Sequence, residues 1–150
     1  MTEKENNQKK IYFSGSIRGG RQNIDIYHEI IEYLKSYGQV LTEYVGDHYL
    51  AQEGEKHLTN QQIYKHDLAW LAKADLIIAE VTTPSLGVGY EIAMAVELNK
   101  PILCLYQPDK QKELSAMIAG CPNLTVACYK TLKQAKEAID HFLSSNDINE

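Results

Sequence analysis

A single glutamate interrupts an uncharged stretch in the middle of the chain. In VTTPSLGVGYEIAMAV (81–96), Glu91 is the only charged residue. The apolar spacing after Gly89 predicts a helix, and it places this carboxylate beside residues that belong to a core. A lone carboxylate is costly to bury, although the helix dipole favours an acid in the first turns. The pattern therefore indicates a carboxylate nucleophile or base, with a solvent-facing glutamate at a helix start as the alternative.

A second carboxylate, Asp67, lies on a predicted helix in QQIYKHDLAWLAKAD (61–75). Ile63 and Trp70 are four residues before it and three after it, so helical spacing places Asp67 on the apolar face. Two carboxylates on the core-facing sides of helices are typical of glycosidic-bond cleavage, in which one attacks the anomeric carbon and the other holds the sugar or handles protons. The alternative is that Asp67 caps a neighbouring helix.

Two further side chains lie at predicted strand ends. Glu80 ends the third predicted strand and competes with Glu91 as the nucleophile, although it could equally cap or pair at the sheet end. Tyr12 lies on the first predicted strand, next to a glycine-rich loop. A buried tyrosine needs a partner for its hydroxyl, so Tyr12 is either a core aromatic or a site residue.

The glycine-rich loop follows the first strand in KKIYFSGSIRGGRQN (9–23). Gly15, Gly19 and Gly20 let the backbone approach a ligand, the next helix directs its N-terminal amides there, and Arg18 or Arg21 supplies charge. This predicts a phosphate site, with a plain glycine-rich turn between strand and helix as the alternative. The glycine spacing resembles a P-loop, but Arg21 and Gln22 replace its Lys and Ser/Thr, which argues against a nucleoside triphosphatase.

Composition limits the remaining possibilities. The chain has 150 residues and a net charge of −5, which predicts one domain and argues against a broad nucleic-acid-binding face. No apolar run is long enough to span a membrane. Three cysteines without a CxxC motif indicate a reducing compartment, so we expect a cytoplasmic protein, or a nuclear one if it is eukaryotic. The five histidines form no ligand motif, so we expect neither a metal nor a cofactor.

Strand and helix patterns alternate along the chain. The predicted strands are 10–14, 39–45, 75–81, 101–106 and 124–129; the predicted helices are 23–37, 61–73, one ending near 99, a short one within 112–120, and 131–144. A long loop is expected at 46–59, and flexible tails at 1–9 and 145–150. This order predicts a single α/β domain over 10–144, a doubly wound, five-stranded parallel sheet of the Rossmann-like or flavodoxin-like kind.

The motifs resemble those of a known family. IYFSGSIRGGR, HDLAWLAKADLIIAEVTTPSLGVGYE, PILCLY and LSAMIAG are similar to the 2′-deoxynucleoside 5′-monophosphate N-glycosidases of the nucleoside 2-deoxyribosyltransferase superfamily. The resemblance covers residues 10–143. It implies hydrolysis of a deoxynucleoside monophosphate to free base and 2-deoxyribose 5-phosphate, through a covalent glycosyl-enzyme intermediate.

The resemblance also implies roles for individual residues. Glu91 is expected to be the nucleophile, Asp67 to bond the sugar and assist departure of the base, and Tyr12 to orient Glu91 and crowd the 2′ position. The residues that match phosphate contacts are Ser16, Arg18, Gly19, Ser85 and Gly87, with Ser115 contributed by the other subunit of a homodimer; those near the base are Ile17, Tyr44 and Met117. Ser14 replaces the usual Cys, and Tyr44 stands where the animal proteins have His, which leaves the base preference open.

The sequence leaves three alternatives open. A deoxyribosyltransferase would use the same nucleophile but pass the sugar to a second base. A ribonucleotide N-glycosidase of the CMP-hydrolysing kind would have the same fold and accept a 2′-hydroxyl. A nucleotide-binding module without chemistry is a third reading, and the two carboxylates on apolar faces argue against it.

Overall fold

A five-stranded sheet forms the centre of the molecule. The computed structural model describes residues 8–17, 23–46 and 58–146. In chain order the strands are β1 (Lys9–Ser14), β2 (Gly38–Val40), β3 (Leu76–Glu80), β4 (Ile102–Tyr106) and β5 (Thr125–Cys128). All four pairings are parallel and the order across the sheet is β2-β1-β3-β4-β5. This order is that of flavodoxin-like folds and confirms the predicted fold class.

Helices cover both faces of the sheet. They are α1 (Ile24–Leu34), α2 (Asn60–Lys73), α3 (Leu86–Glu97), α4 (Ala116–Ala119) and α5 (Leu132–Asn146), with a short 3-10 helix at Glu43–Gly46. Buried residues of α1 and α5 pack on one face, and those of α2 and α3 pack on the other. Within the described ranges, none of the helices has the length and apolarity that crossing a membrane would require.

The alternation of side chains along β1 divides the core into two. Ile11 and Phe13 join the cluster under α1 and α5, whereas Tyr12 joins the cluster under α2 and α3. Ser14 follows Tyr12 by two residues, so it lies on the same face as Tyr12. The face that α2 and α3 cover thus receives the polar groups at the carboxyl end of β1.

The strand order reverses between β1 and β3. Ser14, the last residue of β1, is in register with Ala79 near the end of β3. In open parallel sheets, ligands bind beyond the carboxyl ends of the strands where the order reverses. Both predicted phosphate-binding segments follow these two strands, so the topology places them side by side.

The second strand is shorter than predicted. It ends at Val40 rather than at residue 45, and Glu43–Gly46 forms a 3-10 helix. Thr42 explains the early end, because its buried hydroxyl donates to the Phe13 carbonyl at 2.7 Å and accepts from the Phe13 amide at 2.8 Å. The Thr42 side chain thus makes the hydrogen bonds to Phe13 that the backbone of a longer β2 would make, so the chain can turn after Val40.

Several predicted features lie partly or wholly outside the described residues. Residues 18–22 of the glycine-rich loop are among them, and so are residues 47–57 of the predicted long loop. Most of the two predicted tails also lies outside, and the tail boundaries therefore remain predictions.

Candidate active site

Glu91 is held at the carboxyl end of β1. It lies on α3, whose N-terminus is capped by the Ser85 hydroxyl, which accepts from the Val88 amide at 3.3 Å. The Ser14 hydroxyl donates to Glu91 Oε2 at 2.8 Å, and the Tyr12 hydroxyl also hydrogen-bonds this carboxylate. Two alternate residues of one strand thus donate to the same group.

Burial sets the protonation of this group. Burial and, to a smaller extent, the nearby charge of Asp67 raise the pKa of Glu91, the hydrogen bonds from Ser14 and Tyr12 lower it, and the net result is a pKa of about 7. Burial and the Glu91 charge together raise the pKa of Tyr12, which is 1% exposed. Tyr12 therefore keeps its proton at neutral pH and remains a donor, while Glu91 is divided between its two forms.

Asp67 is held from a different side. The Tyr44 hydroxyl, on the 3-10 helix, donates to Asp67 Oδ1 at 2.9 Å, and His66 Nδ1 lies 2.9 Å from the same oxygen. Trp70 supports both neighbours: its ring centroid is 4.8 Å from that of His66 and 6.0 Å from that of Tyr44. Asp67 acts electrostatically on both Glu91 and Tyr12, which places the two predicted carboxylates in one site.

A groove of about 1440 Å³ opens over these carboxylates. The predicted site residues that line it are Ile17, Tyr44, Asp67, Ser85, Gly87, Glu91, Ser115 and Met117. Tyr12 and Ser16 are buried and do not line it. Arg18 and Gly19 lie outside the described residues, so their predicted phosphate contacts stay predictions.

The two segments predicted to bind phosphate are tied together. Gly15 is closely packed, since a Cβ there would lie 3.0 Å from the Tyr27 ring. The Ser16 amide donates to the Tyr27 hydroxyl at 3.1 Å. Beyond the loop, the Asn23 side-chain amide donates to the Thr83 hydroxyl at 3.1 Å. A hydrogen bond thus joins Asn23, which follows the loop after β1, to the turn after β3.

Glu80 is separated from the groove by the sheet. It immediately follows Ala79, which packs in the α2–α3 cluster, so its side chain projects to the opposite face. There its carboxylate accepts from the Tyr129 hydroxyl, and from the amide and hydroxyl of Thr82. Its geometry does not support the role of a competing nucleophile.

Sequence reasoning missed three features of the site. Ser14 was not expected to bind Glu91, although its place two residues after Tyr12 on one strand face is a usable signal. No sequence signal predicted that His66 contacts Asp67. The same holds for the Tyr64 and Tyr90 hydroxyls, which lie 3.1 Å apart on the groove wall. Among the described residues, no group of three or more His, Cys, Asp or Glu could hold a metal ion.

We predict that Glu91 titrates near pH 7, in contrast to an ordinary glutamate near 4.5. Asp67→Asn removes a repelling charge and lowers the midpoint, whereas Ser14→Ala removes a donor to the ionised form and raises it. Carboxyl ¹³C NMR titration of Glu91 measures all three midpoints. Glu137→Gln, an exposed change on α5, serves as the control and leaves the midpoint unchanged. A wild-type midpoint near 4.5 would contradict this description of the site.

Comparison with solved structures supports the fold. The chain is similar to a CMP N-glycosidase of Clostridium botulinum, with a TM-score of 0.65 and 19% identity over 89% of this chain and 99% of that one. It is also similar to the molybdenum cofactor carrier protein of Chlamydomonas reinhardtii, with a TM-score of 0.52 and 14% identity over 92% and 99% of the two chains. At these identities the likeness shows a shared fold.

Sequence comparison is more specific. The chain is 51% identical to a 5-hydroxymethyl-dUMP N-hydrolase of Danio rerio over 80% of its own length and 86% of the relative's. It is 54% identical to the Mus musculus protein of the same name over 73% of its own length and 64% of the relative's. Residues 11–139 match the sequence profile described as Nucleoside 2-deoxyribosyltransferase. The chain belongs to the nucleoside 2-deoxyribosyltransferase family.

Proposed function

We propose that this protein hydrolyses the N-glycosidic bond of 2′-deoxynucleoside 5′-monophosphates. The observation that carries the proposal is the buried Glu91 carboxylate, held by Ser14 and Tyr12 at the floor of a groove. The relatives described above are named as hydrolases of a deoxynucleoside monophosphate, which supports the same substrate class here. The products are a free base and 2-deoxyribose 5-phosphate.

In the proposed mechanism, ionised Glu91 attacks C1′ of the deoxyribose. An oxygen–C1′ bond forms as the C1′–nitrogen bond breaks, and the electron pair leaves with the base, which takes up a proton. Absence of a 2′-hydroxyl eases formation of the oxocarbenium-like transition state. Water then attacks C1′ and releases the sugar from Glu91, so two displacements retain the configuration.

The other carboxylate has a supporting role. Asp67 bonds the sugar hydroxyls and assists departure of the base. Tyr44 donates to Asp67 Oδ1 and lines the groove together with Ile17 and Met117, which supports assigning these three residues to the base. Tyr12 hydrogen-bonds Glu91, and we assign to it the role of crowding the 2′ position of the sugar.

The phosphate is assigned to the two segments that Asn23 and Thr83 connect. Ser16 lies in the first segment, and Ser85 and Gly87 open α3 in the second. The N-terminus of α3 favours an anion, because its amides and dipole point toward it. Arg18 and Gly19 complete the proposed phosphate contacts.

Two related activities are alternatives. The family carries the name of a deoxyribosyltransferase, and a CMP N-glycosidase has a similar fold. A deoxyribosyltransferase would yield exchange product when a second base is added, whereas the hydrolase yields free base and 2-deoxyribose 5-phosphate without exchange product. A ribonucleotide N-glycosidase would turn over CMP or GMP as well as dCMP or dGMP. The ratio of kcat/KM for dGMP over that for GMP decides this, and we expect Tyr12→Phe to reduce it.

We predict that Glu91→Gln abolishes turnover while substrate still binds. The amide keeps the shape of the side chain but removes the attacking charge, so we expect a loss on the order of a thousandfold or more in kcat. Base release from dGMP measures turnover, and calorimetry measures binding. Glu137→Gln removes the same charge on the other side of the sheet and should retain activity. Near wild-type turnover by Glu91→Gln would refute the assignment of Glu91 as the nucleophile, whereas a wild type that releases no base from dGMP would refute the hydrolase proposal.

We also predict a strong requirement for the 5′-phosphate. Each charge-assisted hydrogen bond contributes roughly 1.5–3 kcal/mol, so losing several lowers kcat/KM for deoxyguanosine by about a thousandfold or more relative to dGMP. The proposed contacts are side chains and backbone amides without a metal bridge, so EDTA should leave activity unchanged. Equal turnover of deoxyguanosine and dGMP would contradict the assigned phosphate site.

An exposed apolar surface at the groove supports a homodimer. Leu86 and Met117 are 97% and 81% exposed, and the half-exposed Tyr64 and Tyr90 lie on the same groove. Contiguous exposed apolar groups of this kind mark interaction sites. We infer that a second copy covers this surface through a two-fold contact, and that Ser115 of each subunit reaches the phosphate of the other.

Complementation between two defective variants tests this arrangement. Ser115 caps α4 by accepting from the Met117 amide, so Ser115→Asp keeps a capping group while placing a negative charge near the phosphate. Ser115→Asn is the neutral control. Co-expressed Glu91→Gln and Ser115→Asp chains should regain about a quarter of wild-type activity, because mixed dimers then contain one intact site. No gain over the separate variants, or an active monomer, would show that Ser115 acts within its own chain.

We further infer a reducing compartment, the cytoplasm or, in a eukaryote, also the nucleus. The basis is that Cys104, Cys121 and Cys128 are all free thiols. Imaging of a tagged protein in its own cell tests this, and accumulation in an oxidising compartment would contradict it.

A further inference from the structure

Glu80 is a fully buried carboxylate that the proposed mechanism does not use. It is 0% exposed and ends β3, on the face of the sheet opposite Glu91. Burying a carboxylate costs several kcal/mol unless its oxygens accept hydrogen bonds. A carboxylate at such a position indicates a specific role, and the groups that donate hydrogen bonds to Glu80 indicate what that role is.

The hydrogen bonds of Glu80 converge on the turn after β3. Its Oε1 accepts from the Thr82 amide at 2.7 Å, and its Oε2 accepts from the Thr82 hydroxyl at 3.0 Å. The Tyr129 hydroxyl, just after β5, donates to the same Oε2. Burial raises the pKa of Glu80, and these three donors oppose that rise by stabilising the ionised form.

Thr82 and the residue after it also bond to neighbouring segments. Its hydroxyl also accepts from the Gln107 amide, at 2.9 Å, directly after β4. The next residue, Thr83, accepts from Asn23 at the start of α1. The turn is therefore bound to the ends of β3 and β4 and to Asn23 at the start of α1. Ser85, the N-cap of α3, follows Thr83 by two residues.

We propose that Glu80 is a positioning residue that fixes turn 82–85, so that Ser85 and the first amides of α3 meet the substrate phosphate. The inference rests on the proposed function, because it assumes the phosphate site described above. Glu80 acts through Thr82 and never touches the substrate. Its loss should therefore weaken phosphate binding and leave the chemical step at Glu91 nearly unchanged.

Thr82→Val is the most selective test, because it removes the hydroxyl with little change in shape. We expect KM for dGMP and Kd for inorganic phosphate to rise about tenfold, the loss expected for one or two hydrogen bonds, while kcat changes less than twofold. Hydrogen exchange at the Val88 and Gly89 amides, both bonded to Ser85, should accelerate. Glu80→Gln should give the same pattern.

Two control variants separate positioning from general stability. Thr82→Ser keeps the hydroxyl and should restore wild-type KM. Ile139→Val destabilises the core cluster that contains Tyr129, at a position away from the groove. It should leave KM and the exchange of the Val88 and Gly89 amides unchanged.

The outcomes are distinct. A faster exchange without a change in phosphate affinity would overturn the inference, as would equal losses in kcat and phosphate affinity, which a purely structural role produces. The wild type provides the separate test of the proposed function. If it binds inorganic phosphate at the turn, with Thr82→Val weakening that binding, but releases no base from dGMP, the proposed function fails and the positioning role stands.

Discussion

The site depends on one interaction: the hydrogen bonds that Ser14 and Tyr12 donate to the buried carboxylate of Glu91. Burial makes the carboxylate a stronger nucleophile but opposes its ionisation, and the two donors limit that opposition. Because the folded pKa of about 7 exceeds the unfolded value of 4.5, folding stability falls as the pH rises between these values and stays lower above them. The protein therefore gives up stability at neutral pH to keep an ionised group in this position.

The parallel sheet makes this arrangement possible. Successive residues of a strand face opposite sides, so Tyr12 and Ser14 reach one face of the sheet while Glu80, at the end of the adjacent strand, reaches the other. In the proposed mechanism Glu91 performs the chemistry on one face, while Glu80 on the other face accepts hydrogen bonds from the turn leading to α3. The reversal of strand order between β1 and β3 brings both loops to the same edge, so an anion can be held beside the reacting carbon.

Much of this could be predicted from the sequence, because strong local patterns specify it. The continuous apolar strands and alternating helices predicted the sheet, and the isolated charge of Glu91 identified the carboxylate. Features set by contacts between distant segments were harder to predict. Thr42 ends β2 early by bonding the backbone of Phe13, 29 residues away. The partners of Asp67 come from the 3-10 helix and from the adjacent His66, and no local periodicity reports on them.

The claim that Glu91 is the nucleophile is tested most directly by locating the covalent intermediate on the chain. The wild-type enzyme is quenched in acid during turnover of saturating dGMP, digested and mapped by mass spectrometry. The account predicts that the peptide containing Glu91 gains the mass of one 2-deoxyribose 5-phosphate residue on that side chain, and that the adduct disappears once substrate is exhausted. An adduct on Asp67 or Glu80, or base release without any adduct, would contradict it.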